Sequence, residues 1–400
     1  MLKKNYGKRK RIHKKKKKNK IYFVILLFFF IIYSSLLIIH HIKKPIKPIK
    51  ISPYLTTKDT QLYYLGKPYT AIGFTSFNAA SLEKHNASCG GYAKDLDSLF
   101  STLPPHSLIR VWAMQGTMTI NPITKKLDWA GIDRVVATAQ KHHQLVILTL
   151  GNQSGQCDDN QWKDSAWYAG GYKKVYNPDG YTPLSYSDYV KKIVNRYKNS
   201  KVIAMWELIN EPEASDCKDY TGAACYGHQL CDATSAENLR HFYDDVGKMV
   251  KSIDSNHLIE DGLIGSGQCG SDNDNYTYVN QSPYIDVASY HDYNEDNKPI
   301  PGDQWNGLNK RLNQMATIKK PLIVGELGIL AFEKGRNCVT PETRKSLIAN
   351  KLNAMFTNGV DAVLFWNRTI ANPSSCNYDI GNSDPLVKYL KKLNLPNNSY

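Results

Sequence analysis

The sequence predicts an α/β chain: a (β/α)8 TIM barrel preceded by a single N-terminal transmembrane helix. Three observations carry this expectation. Eight short, β-branched and nearly continuous apolar runs recur between residues 69 and 366. Segments with apolar residues at helical spacing lie between them. Ahead of both stands an uncharged stretch of 19 residues, Ile21–Ile39, behind a strongly basic tail.

The tail comes first, residues 1–20. Residues 1–50 hold 16 Lys and Arg and no acid, whereas the other 350 residues carry 35 basic and 36 acidic groups. The net charge of +15 is therefore local to one end, and no nucleic-acid partner is expected. A helix over Ile21–Ile39 rises about 28 Å, the thickness of a hydrocarbon core. Its basic N-terminal flank predicts a cytoplasmic N-terminus and contact with anionic lipid. A cleaved signal peptide is the competing reading. Its apolar region is about 7–15 residues long and ends at small residues. "IIHHIKKP" offers no such site, so residues 21–39 are expected to be an uncleaved anchor. Residues 40–53, with "KKPIKPIKISP", form a Lys/Pro spacer of extended chain. Residues 54–400 then form one domain outside the cell, expected to be a monomer.

The strand-like runs follow in order: "YTAIGF" (69–74), "SLIRVW" (107–112), "LVILTL" (145–150), "KVIAMWEL" (201–208), "LIEDGLI" (258–264), "IDVASY" (285–290), "PLIVGEL" (321–327) and "AVLFW" (362–366). Continuous hydrophobicity is what strands buried on both faces show. Helices are expected at 128–143, at 234–253 with a Thr234/Glu237 capping box, at 340–359 with Pro341 in the first turn and Gly359 at the end, and at 384–394. The alternative, an open doubly wound sheet, lacks its phosphate-binding glycine loop after the first strand.

All eight cysteines fall after strand ends, and none has zinc-type CxxC spacing. Disulfides in an oxidising compartment are expected, although eight cysteines allow 105 pairings. Cys338 and Cys376 follow adjacent strands and are expected to pair with each other. In a barrel these loops form the catalytic face.

Residues 206–213 read "WELINEPE". Glu207 sits inside the apolar run and Glu213 lies beyond Pro212, which leaves Glu211 at the C-terminal mouth. A second mouth glutamate, Glu326, ends the seventh run in "PLIVGELG". Strands four and seven face each other across a barrel. Two opposed carboxylates are what glycosidic bond cleavage requires: one protonated to release the leaving oxygen, one ionised to attack. Arg110 on an apolar strand needs a buried partner, because an unpaired buried charge is very costly.

These residues resemble the clan of retaining glycoside hydrolases with catalytic glutamates on strands four and seven, most closely family 5. The matching pieces are "NEP" (210–212), "VGELG" (324–328), "IRVW" (109–112), "SYHDY" (289–293) and "LFWN" (364–367). The resemblance spans about residues 68–395. It implies Glu211 as acid/base and Glu326 as nucleophile. It implies Arg110 and Tyr293 near the nucleophile, His291 near the acid/base, Asn210 on the sugar 2-hydroxyl and Trp366 as the sugar platform. Many family 5 cellulases carry a histidine at the end of strand three. This chain has "LTLGNQ" there, with Asn152 in that region, which is similar to the β-1,4-mannanase-like branch, as is the Trp after His-x-Tyr. β-Mannan is the expected substrate, and cellulose or mixed β-glucan stays open. A surface transglycosylase or a glycan-binding protein on the same scaffold would keep the same residues.

Each assignment has a plainer alternative. The two glutamates could be solvated or ion-paired, Arg110 could form a structural salt bridge, and Asn210 could only cap a turn. His291 and Tyr293 could be satisfied core polars. Trp112 and Trp305, with Trp162, Trp167 and Tyr172, could stack on sugars or simply pack. "DNDNY" (272–276) is similar to a calcium loop but lacks its glycine and distal glutamate, so no metal and no organic cofactor are expected. Asn-x-Ser/Thr sequons begin at Asn86, Asn152, Asn275, Asn280, Asn367 and Asn397.

Overall fold

The computed structural model describes residues 20–36, 51–82, 89, 95–176, 182–293, 297–333, 338–393 and 395. The chain divides into two units, Met1–Ile51 and Ser52–Tyr400. In the first, residues 20–36 form one helix, α1, whose apolar side chains are exposed. Among the described residues no helix is long and apolar enough to cross a membrane. Residues 37–39 of the expected span, residues 1–19 of the tail and residues 40–50 of the spacer lie outside the described residues.

The second unit opens with a small antiparallel sheet: β1 (Thr56–Lys58), β2 (Gln61–Tyr64) and β3 (Lys67–Pro68). Leu65 and Gly66 both have positive φ in the two-residue turn between β2 and β3, which suits the twist of a tight hairpin. Barrel strands and helices then alternate. They are β4 (Ala71–Thr75), α2 (Leu96–Phe100), β5 (Leu108–Trp112), α3 (Gly116–Thr119), α4 (Ala130–Lys141), β6 (Leu145–Thr149), α5 (Ser165–Tyr168), α6 (Tyr186–Tyr197) and β7 (Ile203–Glu207). A short excursion, β8 (Ser215–Asp216) paired with β9 (Leu230–Cys231), precedes α7 (Ser235–Ile253), β10 (Leu258–Glu260), α8 (Asn275–Asn280) and β11 (Ala288–Asp292). The series ends with α9 (Leu308–Ile318), β12 (Leu322–Leu327), α10 (Pro341–Thr357), β13 (Ala362–Phe365) and α11 (Pro385–Leu390).

Eight parallel strands pair in the order β10-β7-β6-β5-β4-β13-β12-β11, and a parallel bridge between Glu260 and Val287 closes the ring. All eight expected runs contain a strand, and the fold is a (β/α)8 barrel. Each barrel strand is buried along its whole length, because helices cover the outer face and other strands the inner one. Side chains alternate, so Leu108, Leu145, Met205, Leu258 and Val287 fill the lower interior. Two residues further along, the same faces carry Arg110, Ile147, Glu207, Glu260 and Ser289. The barrel thus turns polar toward its C-terminal mouth.

Helix starts follow local chemistry. Thr340 accepts a hydrogen bond from the Thr343 N–H with Pro341 in the first turn, and Asp384 caps α11 in the same way. The expected Thr234/Glu237 capping box does not form. Thr234 instead donates its N–H and hydroxyl to the Asp232 carboxylate, a stronger acceptor two residues back. The disulfides are Cys89–Cys157, Cys217–Cys225, Cys231–Cys269 and the expected Cys338–Cys376. Three sequon asparagines, Asn152, Asn280 and Asn367, are buried, while Asn86 and Asn397 lie outside the described residues.

Candidate active site

The polar upper layer is organised around Arg110. Its guanidinium is 1% exposed and gives every arm a partner. Nε donates to Glu207 Oε2 at 2.5 Å and Nη2 to Glu207 Oε1 at 2.6 Å. Nη1 donates to Glu326 Oε1 at 2.5 Å, and Nη2 also to Asn210 Oδ1 at 2.5 Å. Burial alone would favour a neutral group, but Glu207 and Glu326 reverse this and hold the arginine firmly charged. The expected buried partner is therefore two carboxylates, and Glu207 takes the bidentate share.

Asn210 and Glu211 follow β7 in a tight turn. Asn210 N–H donates to Gly151 O at 2.8 Å and Glu211 N–H to Gly262 O at 2.9 Å, so the strand-three and strand-five ends grip the turn. Glu211 sits at φ +53°, a left-handed conformation that costs a non-glycine residue on the order of 1 kcal/mol. The surrounding hydrogen bonds impose it, and the side chain is aimed into the mouth. Asn210 is oriented from both sides. Its Oδ1 accepts from Arg110, and its Nδ2 donates to Asn152 Oδ1 at 3.1 Å. One amide proton of Asn210 remains for a ligand. Asn152 is buried and faces Asn210, so its place is behind the pocket wall.

Glu326 ends β12 directly opposite. Tyr293 O–H donates to its Oε2 at 2.5 Å. His291 Nδ1 lies 2.9 Å from Glu211 Oε1 and 3.6 Å from Glu326 Oε2, so the imidazole bridges the two carboxyls. Burial pushes the Glu326 carboxyl above the ordinary range; His291, Arg110 and the Tyr293 hydroxyl pull it back, while Glu211 adds to the rise. Burial lowers the His291 value, but Glu326 and Glu211 more than compensate and leave it raised.

The aromatic side of the mouth is Trp366, Phe77 and Trp112. Phe77 stacks on Trp366 with centroids 5.5 Å apart, and Trp112 lies 5.9 Å from Trp366. Trp366 remains partly exposed, whereas Trp112 is buried behind it. The Trp366–Asn367 peptide bond is cis. Trp305 is 57% exposed on the loop after β11. Trp167 and Tyr172 are buried against Phe242 of α7 and act in packing. Trp162 sits edge-on to Tyr226 at 5.2 Å, and the Tyr226 hydroxyl meets Ser154 close to Glu211.

The structure thus brings Arg110, Asn210, Glu211, His291, Tyr293, Glu326 and Trp366 together, with Asn152 and Trp112 behind them. Sequence reasoning missed Glu207. Its signal was present: a glutamate inside an apolar strand needs a buried cation, and Arg110 needed an anion. Glu260 was missed for the same reason. One oxygen or nitrogen from each of Glu211, His291 and Glu326 lies within 4.8 Å of the others. Such proximity could suit a cation, but hydrogen bonding and acid–base chemistry account for all three, and none is assigned as a metal ligand.

Two opposed carboxyls can cleave a glycosidic bond, and the comparisons agree. A family model described as cellulase (glycosyl hydrolase family 5) matches residues 107–372. Mannan endo-1,4-beta-mannosidase 7 of Arabidopsis thaliana is 25% identical over 355 residues, 78% of this chain and 77% of that protein. Mannan endo-1,4-beta-mannosidase 8 of rice is 24% identical, over 68% of this chain and 78% of that protein. Among solved structures, the endo-1,4-beta-mannanase of Rhizomucor miehei shares the fold with a TM-score of 0.61 at 19% identity, covering 84% of this chain and 97% of that one. The family match spans more than half of the chain and takes in both mouth glutamates, Arg110 and Trp366, so the chain belongs to glycosyl hydrolase family 5 and is a glycoside hydrolase.

Proposed function

We propose that the protein is an endo-β-1,4-mannanase that retains anomeric configuration. The observation that carries the mechanism is the closeness of the carboxyls: an oxygen of Glu211 and one of Glu326 lie within 4.8 Å. Retaining enzymes hold their carboxyls about 5–5.5 Å apart, whereas inverting ones leave about 6.5–9.5 Å for a water. Glu326, steadied by Arg110 and Tyr293, attacks the anomeric carbon. Glu211 gives its proton to the leaving oxygen. Glu211 then takes a proton from water, which opens the glycosyl–enzyme ester and restores both residues. Asn210 donates its remaining amide proton to the sugar 2-hydroxyl, and Trp366 stacks on the ring. Mannan as substrate is supported by the names of the curated relatives in Arabidopsis and rice.

The test is reducing-end release on β-1,4-mannan and on soluble cellulose, with Glu326→Gln as control and NMR of the first products. Mannan cleavage with retained configuration, lost in the variant, is expected. Activity on cellulose alone would keep the mechanism and replace the substrate, and β-glucan is the second reading because the family model is named for cellulases. Full activity of Glu326→Gln would overturn the nucleophile. Transfer to a sugar acceptor in preference to water would make the enzyme a transglycosylase.

We also propose that residues 21–39 anchor the enzyme in the cell membrane, with the basic tail cytoplasmic and residues 54–400 outside. The uncharged run and its basic flank support this. The full chain should stay with membranes through a carbonate wash, and release into the wash would refute the anchor.

A further inference from the structure

Behind His291 the barrel holds polar groups that the proposed reaction leaves unused. Glu260, at the end of β10, is 1% exposed, and among the described residues neither carboxyl oxygen has a hydrogen-bond partner of normal geometry. The Ser289 hydroxyl on β11 faces this carboxyl and is itself buried without such a partner. Two residues on, and so on the same strand face, His291 turns Nδ1 to Glu211 and leaves Nε2 buried with no partner among the described residues. Ser289 Oγ and His291 Nε2 converge on Gly325: a Cβ built there would lie 2.6 Å from one and 3.1 Å from the other. The two groups therefore flank the same glycine, which has no side chain to stand between them.

The charges around this group decide its state. Glu260 faces Arg110 from β5 and Glu207 from β7, its register neighbour, with Asp261 next in the chain. Tyr243 of α7 and Tyr276 of α8 lie behind, and Glu211 and Glu326 face His291 in front. Arg110 spends two N–H groups on Glu207, one on Glu326 and one on Asn210, and among the described residues none of its hydrogen bonds goes to Glu260. A second carboxylate beside Glu207 would be buried without a cation, and the neutral acid is the form that fits.

We propose that Ser289 and Glu260 form a buried acceptor chain for the Nε2–H of His291, with Glu260 as a neutral acid, and so position the imidazole against Glu211. The ring carries a proton on each nitrogen. Nδ1–H points to Glu211, Nε2–H to the serine oxygen, and the serine O–H to the Glu260 carbonyl oxygen. Ser289 and Glu260 are positioning residues that act through His291. The consequence for catalysis rests on the reading of Glu211 as acid/base; the chain itself does not.

The experiment is 15N NMR titration of the histidines in the full-length protein, with His291 assigned by substitution. In Ser289→Ala, which removes one oxygen, the His291 pKa should fall by about one unit, the worth of a hydrogen bond to a charged group. Glu260→Met should do the same. Glu260→Gln, neutral and still an acceptor, should leave the His291 pKa in place. An unmoved value in Ser289→Ala overturns the chain, even if Glu260→Met fails to fold. A fall in Glu260→Gln as large as in Glu260→Met overturns the neutral acid. The second arm is kinetic: Ser289→Ala should lose about tenfold in kcat with KM little changed. A wild type inactive on every glycan would sink the proposed function and leave the NMR result standing.

Discussion

Arg110 is the residue on which the upper barrel depends. It joins Glu207, Glu326 and Asn210 through one planar fork, which a lysine ammonium cannot reproduce. Arg110→Lys should therefore cost a hundredfold or more in kcat, about 3 kcal/mol. Truncation to alanine should also lower Tm, because it leaves Glu207 buried without a cation and Glu326 with His291 alone. The pH profile has a definite sign. Glu326 must be ionised to attack, and burial raises its pKa. The acid limb of kcat/KM should therefore fall at a pH above the ordinary glutamate value, and an acid limb below that value would contradict the assignment. At this scale the sequence was legible where position decides the role. Glu211 and Glu326 stand at strand ends, and the mouth is where barrels keep polar chemistry. Glu207 and Glu260 were legible as charges inside apolar strands, but their partners were not, because those depend on which residues share a layer across the closed ring.

At the scale of elements, the turn after β7 shows how neighbours impose a conformation. Gly262, at φ +71°, lies against this turn, and a Cβ there would stand 2.0 Å from Ile209 O. Gly262→Ala should push the Asn210–Glu211 turn aside and abolish activity, with a loss of at least about 3 kcal/mol in stability. Gly359 supplies the control. Its φ is +92°, but a Cβ would meet nothing within 4 Å, so Gly359→Ala carries strain alone and should cost about 1 kcal/mol. Denaturant unfolding of the two variants would separate clash from strain. The eight strands could be read from the sequence because burial on both faces leaves an unbroken apolar run. The β1–β3 sheet and the β8–β9 pair could not, since strands of two to four residues carry no periodicity. The failed capping box at Thr234 has a local cause: Asp232 competes for the same donors.

For the whole molecule, stability is shared between the core and its covalent ties. Cys231–Cys269 closes 38 residues and ties the β8–β9 excursion to the loop after β10. Removing it with a Cys231→Ser/Cys269→Ser pair should cost about 4 kcal/mol, read as a fall in Tm. Stability should also depend on pH. Burial raises Asp361 to about 7, and Asp261 and Asp158 likewise to about 7. Between roughly pH 4 and 7 the folded protein keeps protons that the unfolded chain has released, so stability falls as pH rises through that window. Tm should be several degrees lower at pH 8 than at pH 5. Asp361→Asn, uncharged throughout, should flatten part of the slope, and an unchanged slope would remove Asp361 from the account.

Asp361 leads back to the small sheet at the start of the second unit. Its carboxyl accepts from the Leu62 N–H and from Gln61, so β2 is fastened to the residue that precedes β13, while the hydroxyl of Tyr69, which lies between β3 and β4, donates to His106 O. With Leu55 and Leu62 the sheet stoppers the lower end of the barrel. The chain consequently enters the barrel domain at the floor, and the cleft opens at the opposite end. Immobilised through its N-terminal side, on a bead or as a fusion, this domain would hold its cleft toward the liquid, and an insoluble fibre could reach it without passing the support.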